Sequence, residues 1–207
     1  MVMPYLCTRK PNIMSIMETF NKRFIYFICA VSAMGGLLFG YDWVVIGGAK
    51  PFYEVYFGIA DAPSLQGLAM SIALVGCLVG AMACGWLADR LGRKPLLLLS
   101  AFIFLVSAYA TGAFHTFEDF LGARFLGGIA IGMASGLSPM YIAEVAPSHI
   151  RGKLVSLNQL TIVLGILAAQ TVNWLIAEPM PVGTTVSAPD SWNVLMGWRW
   201  MFWSAAF

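Results

Sequence analysis

Residues 123–153 read ARFLGGIAIGMASGLSPMYIAEVAPSHIRGK. An apolar, glycine-studded run carries one arginine near its start, meets a proline late and leaves through a charged segment. Taken from Phe117 to Ile142, the run is long enough to cross a bilayer, for which about 20 residues suffice. Gly128, Gly132 and Gly136 recur at every fourth position, so one helix face has almost no side chains. Such a face admits a close neighbour where van der Waals packing drives helix association. Arg124 needs a different account. A charge inside an apolar span is costly and marks a pathway, with a partner at matched depth.

The rest of the chain is as apolar. Of its 207 residues 59% are hydrophobic and 11% charged, with mean hydropathy +0.79. Apolar runs of about 18 residues or more read as spanning helices, which sets a soluble domain aside. The pattern is that of an all-α membrane protein. Residues 1–23 form a polar N-terminal segment, with Met17 an alternative start, and 24–207 a transmembrane bundle. Spans are expected over about 24–48, 65–87, 96–114, 117–142 and 154–177. Lys22-Arg23, an apolar stretch and Val31-Ser32-Ala33 have the outline of a cleavable leader, but the run continues past Ala33 and reads as a span. A polar link, 178–196, precedes a sixth run over 197–207. Those residues would rise only about 16 Å, roughly half the hydrocarbon core, so the sixth helix is expected to be truncated and the chain a fragment.

Charge placement gives an orientation. With the N-terminus cytoplasmic, the inside collects Arg9, Lys10, Lys22, Arg23, Arg90, Arg93, Lys94, Arg151 and Lys153, and the outside only Lys50 and Arg199. Glu54, Asp61, Glu118, Asp119, Glu178 and Asp190 then lie outside, near Trp43, Tyr53, Tyr56, Trp174, Trp192 and Trp198, whose amphipathic rings suit the interface.

Several chemistries find no footing. Four cysteines give no disulfide framework, and Cys77 and Cys84, two turns apart, have no His or carboxylate beside them and read as packing. His115 and His149 read as loop residues. There is no phosphate-cradling glycine loop, metal cluster or nucleophile–base pair, so no enzyme, no cofactor, no metal and no nucleic-acid partner is expected.

Three constellations remain. Asp42 lies about 18 residues along the first span, and Arg124 about seven residues into the fourth, which runs the other way. Both fall in the outer third of the membrane and should pair, since either charge alone in low dielectric costs several kcal/mol. Such a pair either fixes helix packing or works as a proton switch, because burial raises a carboxylate's pKa and a nearby guanidinium lowers it. On the fifth span Gln159, Ile162, Val163, Ile166, Gln170 and Asn173 recur at helical spacing. This uncharged polar stripe serves equally as a sugar-binding face or as interhelical glue. Between spans two and three, Gly85 and Asp89 stand one turn apart at a helix end, followed by Arg90, a tight turn at Gly92, Arg93 and Lys94.

These features resemble the sugar porter family of the major facilitator superfamily. The stretch 123–153 resembles the family signature, and Gly85-x-x-x-Asp89-Arg90-x-Gly92-Arg93-Lys94 matches the superfamily's loop motif. The resemblance covers Phe24–Phe207 and implies the N-terminal six-helix bundle of the major facilitator fold, built of two inverted three-helix units. It implies an alternating-access carrier of a pentose or hexose. Gly40-Tyr41-Asp42 is similar to the proton symporters, whereas facilitative members usually lack the acid, so Asp42 and Arg124 are implied to couple protons. Gln159 is implied to contact sugar, with Phe39 closing over it and Ile162 and Ile166 as an apolar wall; Gln170, on the same polar stripe, is expected to be a further sugar contact. Isoleucine at 166 matches the family's glucose carriers, whereas a xylose-carrying member has glutamine, which argues against xylose. Gly85, Asp89, Arg90, Gly92, Arg93, Glu144 and Arg151 are implied to form an inner gating network. Its partners would lie mostly in an absent C-terminal half.

The implied partners are sugar, protons and the lipid bilayer, and the implied location is a plasma membrane, the bacterial inner membrane, crossed many times. The alternatives are an uncoupled sugar carrier and a non-transporting fragment that needs a partner half. Standing alone, the bundle is expected to expose Asp42, Arg124 and Gln159 to lipid.

Overall fold

The computed structural model describes residues 22–177 and 191–206. The expected N-terminal segment before Lys22, the link residues 178–190 and Phe207 lie outside the described residues. Five long helices follow one another: α1 Lys22–Tyr56, α2 Pro63–Leu91, α3 Arg93–Ala113, α4 Phe117–Val145 and α5 Arg151–Ile176. Each is long and apolar enough to cross a membrane. A π-helical turn, Asn193–Gly197, leads into α6, Trp198–Trp203, and a last 3-10 turn, Ser204–Ala206. The sixth run therefore opens earlier than Gly197.

Local chemistry sets the ends. Pro63 opens α2, where its missing N–H is no loss. Thr116 caps α4 by accepting from the Asp119 N–H at 3.2 Å, and Glu118 and Asp119 in the first turn suit the helix dipole. Between α2 and α3 the chain turns at Gly92 alone, with φ 84° and ψ 159°, a conformation essentially confined to glycine.

Helix α1 runs on to Tyr56 instead of ending near Gly48. Pro51 lies inside this helix and removes one backbone donor from it. The extra turns bury Phe52 and Tyr53. They join an aromatic cluster with Phe120, Trp198 and Phe202 from α4 and α6.

Short turns make successive helices antiparallel, and the closest pairs are α1 with α5 and α2 with α4. Both are glycine contacts of backbone on backbone. A Cβ at Gly128 or Gly132 would strike the carbonyls of Ala73 or Cys77, and one at Gly76 or Gly80 those of Phe125 or Ile129. Likewise Gly40 lies on the Ile162 carbonyl and Gly165 on that of Leu37. Gly136, third in the spacing that predicts the smooth face, is exposed and meets α2 only through a side chain, a Cβ there lying 3.5 Å from Cys84 Sγ. Exchanging the first three helices with the next three maps one close pair onto the other, as nested inverted repeats require.

Large apolar side chains such as Phe27, Leu78, Met82, Phe102 and Leu167 cover the outside, as lipid contact demands.

Candidate functional site

The first and fourth helices meet at an ion pair. Arg124 Nη1 donates to Asp42 Oδ1 at 2.6 Å and Nη2 to Oδ2 at 3.0 Å, a bidentate fork. The residues are 3% and 7% exposed, so the bundle itself shields them from lipid. The expectation that a lone bundle would expose Asp42 and Arg124 is thereby corrected: α4 is walled by α1, α2, α3 and α5, and the ring of Phe202 on α6 lies 5.4 Å from the guanidinium carbon.

Close approach of α1 and α4 makes the pair possible. Small residues line the crossing: a Cβ at Gly35 would lie 3.7 Å from that of Ala134. One turn further, the Ser138 hydroxyl is 2.5 Å from the Ser32 carbonyl and 2.8 Å from Asn158 Oδ1, tying α5 to the same junction.

On α5 the predicted polar stripe divides. Gln159 and Gln170 are exposed, and Ile162 and Ile166 half-buried. Asn173 turns inward, where Nδ2 reaches the Val44 carbonyl at 3.4 Å over side-chain-free Gly48. Gln170 and Asn173 line an open cavity of about 620 Å³ between α1, α2 and α5 that reaches Arg124. Phe39 lies elsewhere, half-buried against the Phe104, Ala130 and Ile131 cluster of α3 and α4. The structure thus joins Gln170 with Arg124 and gives Phe39 a neighbourhood among the α3 and α4 residues.

At the end that carries the α2–α3 turn, Arg93 forms a hub. It reaches Glu144 Oε1 through Nε at 2.9 Å and Asp89 Oδ1 through Nη2 at 3.5 Å, and donates to the Ala88 carbonyl at 3.3 Å. Arg90 stacks over Trp86 at 4.0 Å. Arg151 is exposed, and Gly85 has no atom within 4 Å of a Cβ position.

The opposite end holds a cluster that sequence reasoning missed. Buried Arg199 donates to Tyr56 Oη at 2.8 Å and lies 2.9 Å from His115 Nδ1. Tyr56 and His115 are themselves 3.1 Å apart. His115 belongs to a turn, as expected, but it ties α1, α6 and the α3–α4 connection together. Nothing in the sequence flags this, because the three residues lie on three separate segments.

Comparison with known proteins bears on the same features. Residues 28–207 match the family model described as "Sugar (and other) transporter". A glucose transport protein of Synechocystis sp. is 45% identical over 190 residues, covering 90% of this chain and 39% of that protein. The D-xylose-proton symporter of Escherichia coli is 37% identical over 207 residues, covering 88% of this chain and 40% of that protein. Among solved structures, the proton:xylose symporter XylE bound to 6-bromo-6-deoxy-D-glucose superposes with TM-score 0.80 at 36% identity, over 90% of this chain and 43% of that one. The inward open conformation of XylE from E. coli gives 0.78 at 36% identity, over 88% and 45%.

The fold is the N-terminal half-bundle of a major facilitator, a class of multi-pass membrane transporters. Within it, the chain belongs to the sugar transporter family. It spans about 40% of the length of the curated relatives it matches.

Proposed function

We propose that the chain forms the N-terminal half of a monosaccharide–proton symporter working by alternating access. The observation that carries the proposal is the bidentate Asp42–Arg124 pair, buried between two helices at the centre of the bundle. Opposite charges held this deep stay together unless the helices that carry them move apart, and either one left alone in low dielectric is costly. A conformational change that opens or closes the pair therefore loads or releases a proton. Relatives of both kinds, sugar carriers and sugar–proton symporters, match over most of the chain.

Gln159 lies on the exposed face of α5, where a complementary half would meet it, and we assign its amide to sugar with Ile162 and Ile166 beside it. Phe39 serves as an apolar boundary to the pathway. The Arg93 hub, with Gly85, Asp89, Arg90, Gly92, Glu144 and Arg151 around it, serves as one part of a gate. The N-terminus is assigned to the cytoplasm, and the location to the plasma membrane, the inner membrane in a bacterium. The orientation follows from the basic residues at the end that holds Arg93, and the location from the bacterial sugar carriers that the chain resembles.

The deciding experiment is Asp42→Asn in the full-length gene product, reconstituted in liposomes. Sugar-driven alkalinisation should vanish while sugar counterflow persists. Continued proton movement would sink the coupling role; wild-type uptake indifferent to a proton gradient would identify an uncoupled carrier.

A further inference from the structure

We infer that Arg199, Tyr56 and His115 form a proton-sensitive latch at the end of the bundle opposite Arg93. It is closed while the imidazole is neutral and released when the imidazole is protonated. The latch uses neither member of the ion pair and needs no sugar. Only the side from which its protons come rests on the assigned orientation.

Hydrogen-bonding capacity fixes the state of the imidazole. A guanidinium nitrogen donates and has no lone pair to offer. Arg199 Nη2 has two hydrogens, and it meets Tyr56 Oη at 2.8 Å and His115 Nδ1 at 2.9 Å. Nδ1 must therefore carry a lone pair, which makes the ring neutral with its hydrogen on Nε2. The Tyr56 hydroxyl accepts from Arg199 and is left to donate its own hydrogen to Nδ1 at 3.1 Å. Two donors thus converge on one lone pair.

Protonation removes that lone pair and sets a second cation beside the guanidinium. Among the described residues no carboxylate lies within 4 Å of Arg199 or His115 to offset it. On α1, Glu54 turns to Lys50 at 3.7 Å, and on α4, Asp119 is held by Thr116. Asp61 and Glu118 are exposed and pair with neither. The charged residues of α3, Arg93 and Lys94, stand at its far end. On α6 the guanidinium carbon lies 5.1 Å from the Tyr56 ring and 5.2 Å from the Trp198 ring, which carry no charge to trade.

Access completes the device. Arg199 is 6% exposed, whereas His115 is open to water, so the proton arrives from outside while the charge it opposes is held inside. Histidine is the side chain that changes charge between about pH 5 and 8. Arg199 lies on α6, Tyr56 ends α1, and His115 lies between α3 and α4. Asp42 stands about 21 Å before Tyr56 along the same helix. Acid water on that side therefore loosens one end of the helix that carries Asp42.

The test is hydrogen exchange of the full-length gene product in detergent at pH 5.5 and 7.5, read over residues 52–57 and 193–203 and corrected for intrinsic rates. Wild-type protection there should be about tenfold lower at pH 5.5. His115→Asn supplies an acceptor oxygen that does not titrate, so its protection should hardly change between the two conditions. His115→Lys carries a fixed charge and should exchange fast at both. A fall of equal size in wild type and His115→Asn would assign the effect to other groups, such as Glu54, Asp61 or Glu118, and overturn the latch. A wild type equally protected at both pH values would overturn it too. Should His115→Lys fail to fold, the other two proteins decide. Sugar transport does not enter this readout, so the transport reading stands or falls separately.

Discussion

Arg124 uses two of its nitrogens on Asp42 and leaves neither charge open to lipid. Removing one partner strands the other. Arg124→Gln is expected to destabilise the protein by about 3–5 kcal/mol, the usual cost of a buried unpaired charge. The double variant Asp42→Asn with Arg124→Gln should recover most of that loss but no proton coupling. Thermal unfolding in detergent, run beside a proton-uptake assay, separates the two effects; a double variant no more stable than the single would contradict the account. At Gly92 the strain is conformational, and Gly92→Ala should cost about 1–3 kcal/mol by the same unfolding measurement. The ion pair was legible in the sequence because charges are scarce in apolar spans and depth can be reckoned from helix rise. Arg199 was not. It read as one of two basic residues on the outer side, and its burial depends on Tyr56 and His115 arriving from other segments.

Among the helices, glycine position matters more than glycine number. Gly128 packs on a carbonyl of α2, whereas Gly122 in the same helix has nothing within 4 Å of a Cβ. Gly128→Val should therefore disrupt the α2–α4 contact and lower the unfolding midpoint. Gly122→Ala should raise stability by about 1 kcal/mol through helix propensity alone. Equal effects in both would mean that the close approach is not what holds the pair. Spacing announced a smooth face on α4 but not its neighbour, and it included exposed Gly136, which meets a side chain, with the two glycines that pack on carbonyls. The α5 stripe failed similarly: periodicity defines a face, while the crossing angle decides how much of it a neighbour covers. Asn173 falls under α1 because Gly48 leaves room there. Helix α1 outran its expected end because burial of Phe52 and Tyr53 outweighs the donor lost at Pro51.

Across the whole molecule, charge separates the two ends. Arg90, Arg93, Lys94, Arg151 and Lys153 lie at the α2–α3 and α4–α5 turns, and Asp61, Glu118 and Asp119 at the opposite end. Exposed Ala60 and Ser148 mark the two ends. In a background lacking native cysteines, an impermeant maleimide applied to intact cells should label Ala60→Cys and spare Ser148→Cys. The reverse pattern would invert the assigned orientation. The number of spans was the most legible feature of all, since only length and hydropathy enter it.

The glycine contacts also give the bundle a mechanical grain. Backbone locked on backbone makes α1 with α5 one stiff plank and α2 with α4 another, joined along a seam where α1 meets α4. Asp42 and Arg124 bridge that seam, so any movement of one plank against the other has to open or re-form their contact. A staple across the joint should then jam it. Gly35→Cys with Ala134→Cys places two Cβ atoms 3.7 Å apart, within disulfide range. Oxidation of that pair should arrest transport and reduction restore it; transport undisturbed by the closed staple would mean the bundle moves as one solid block.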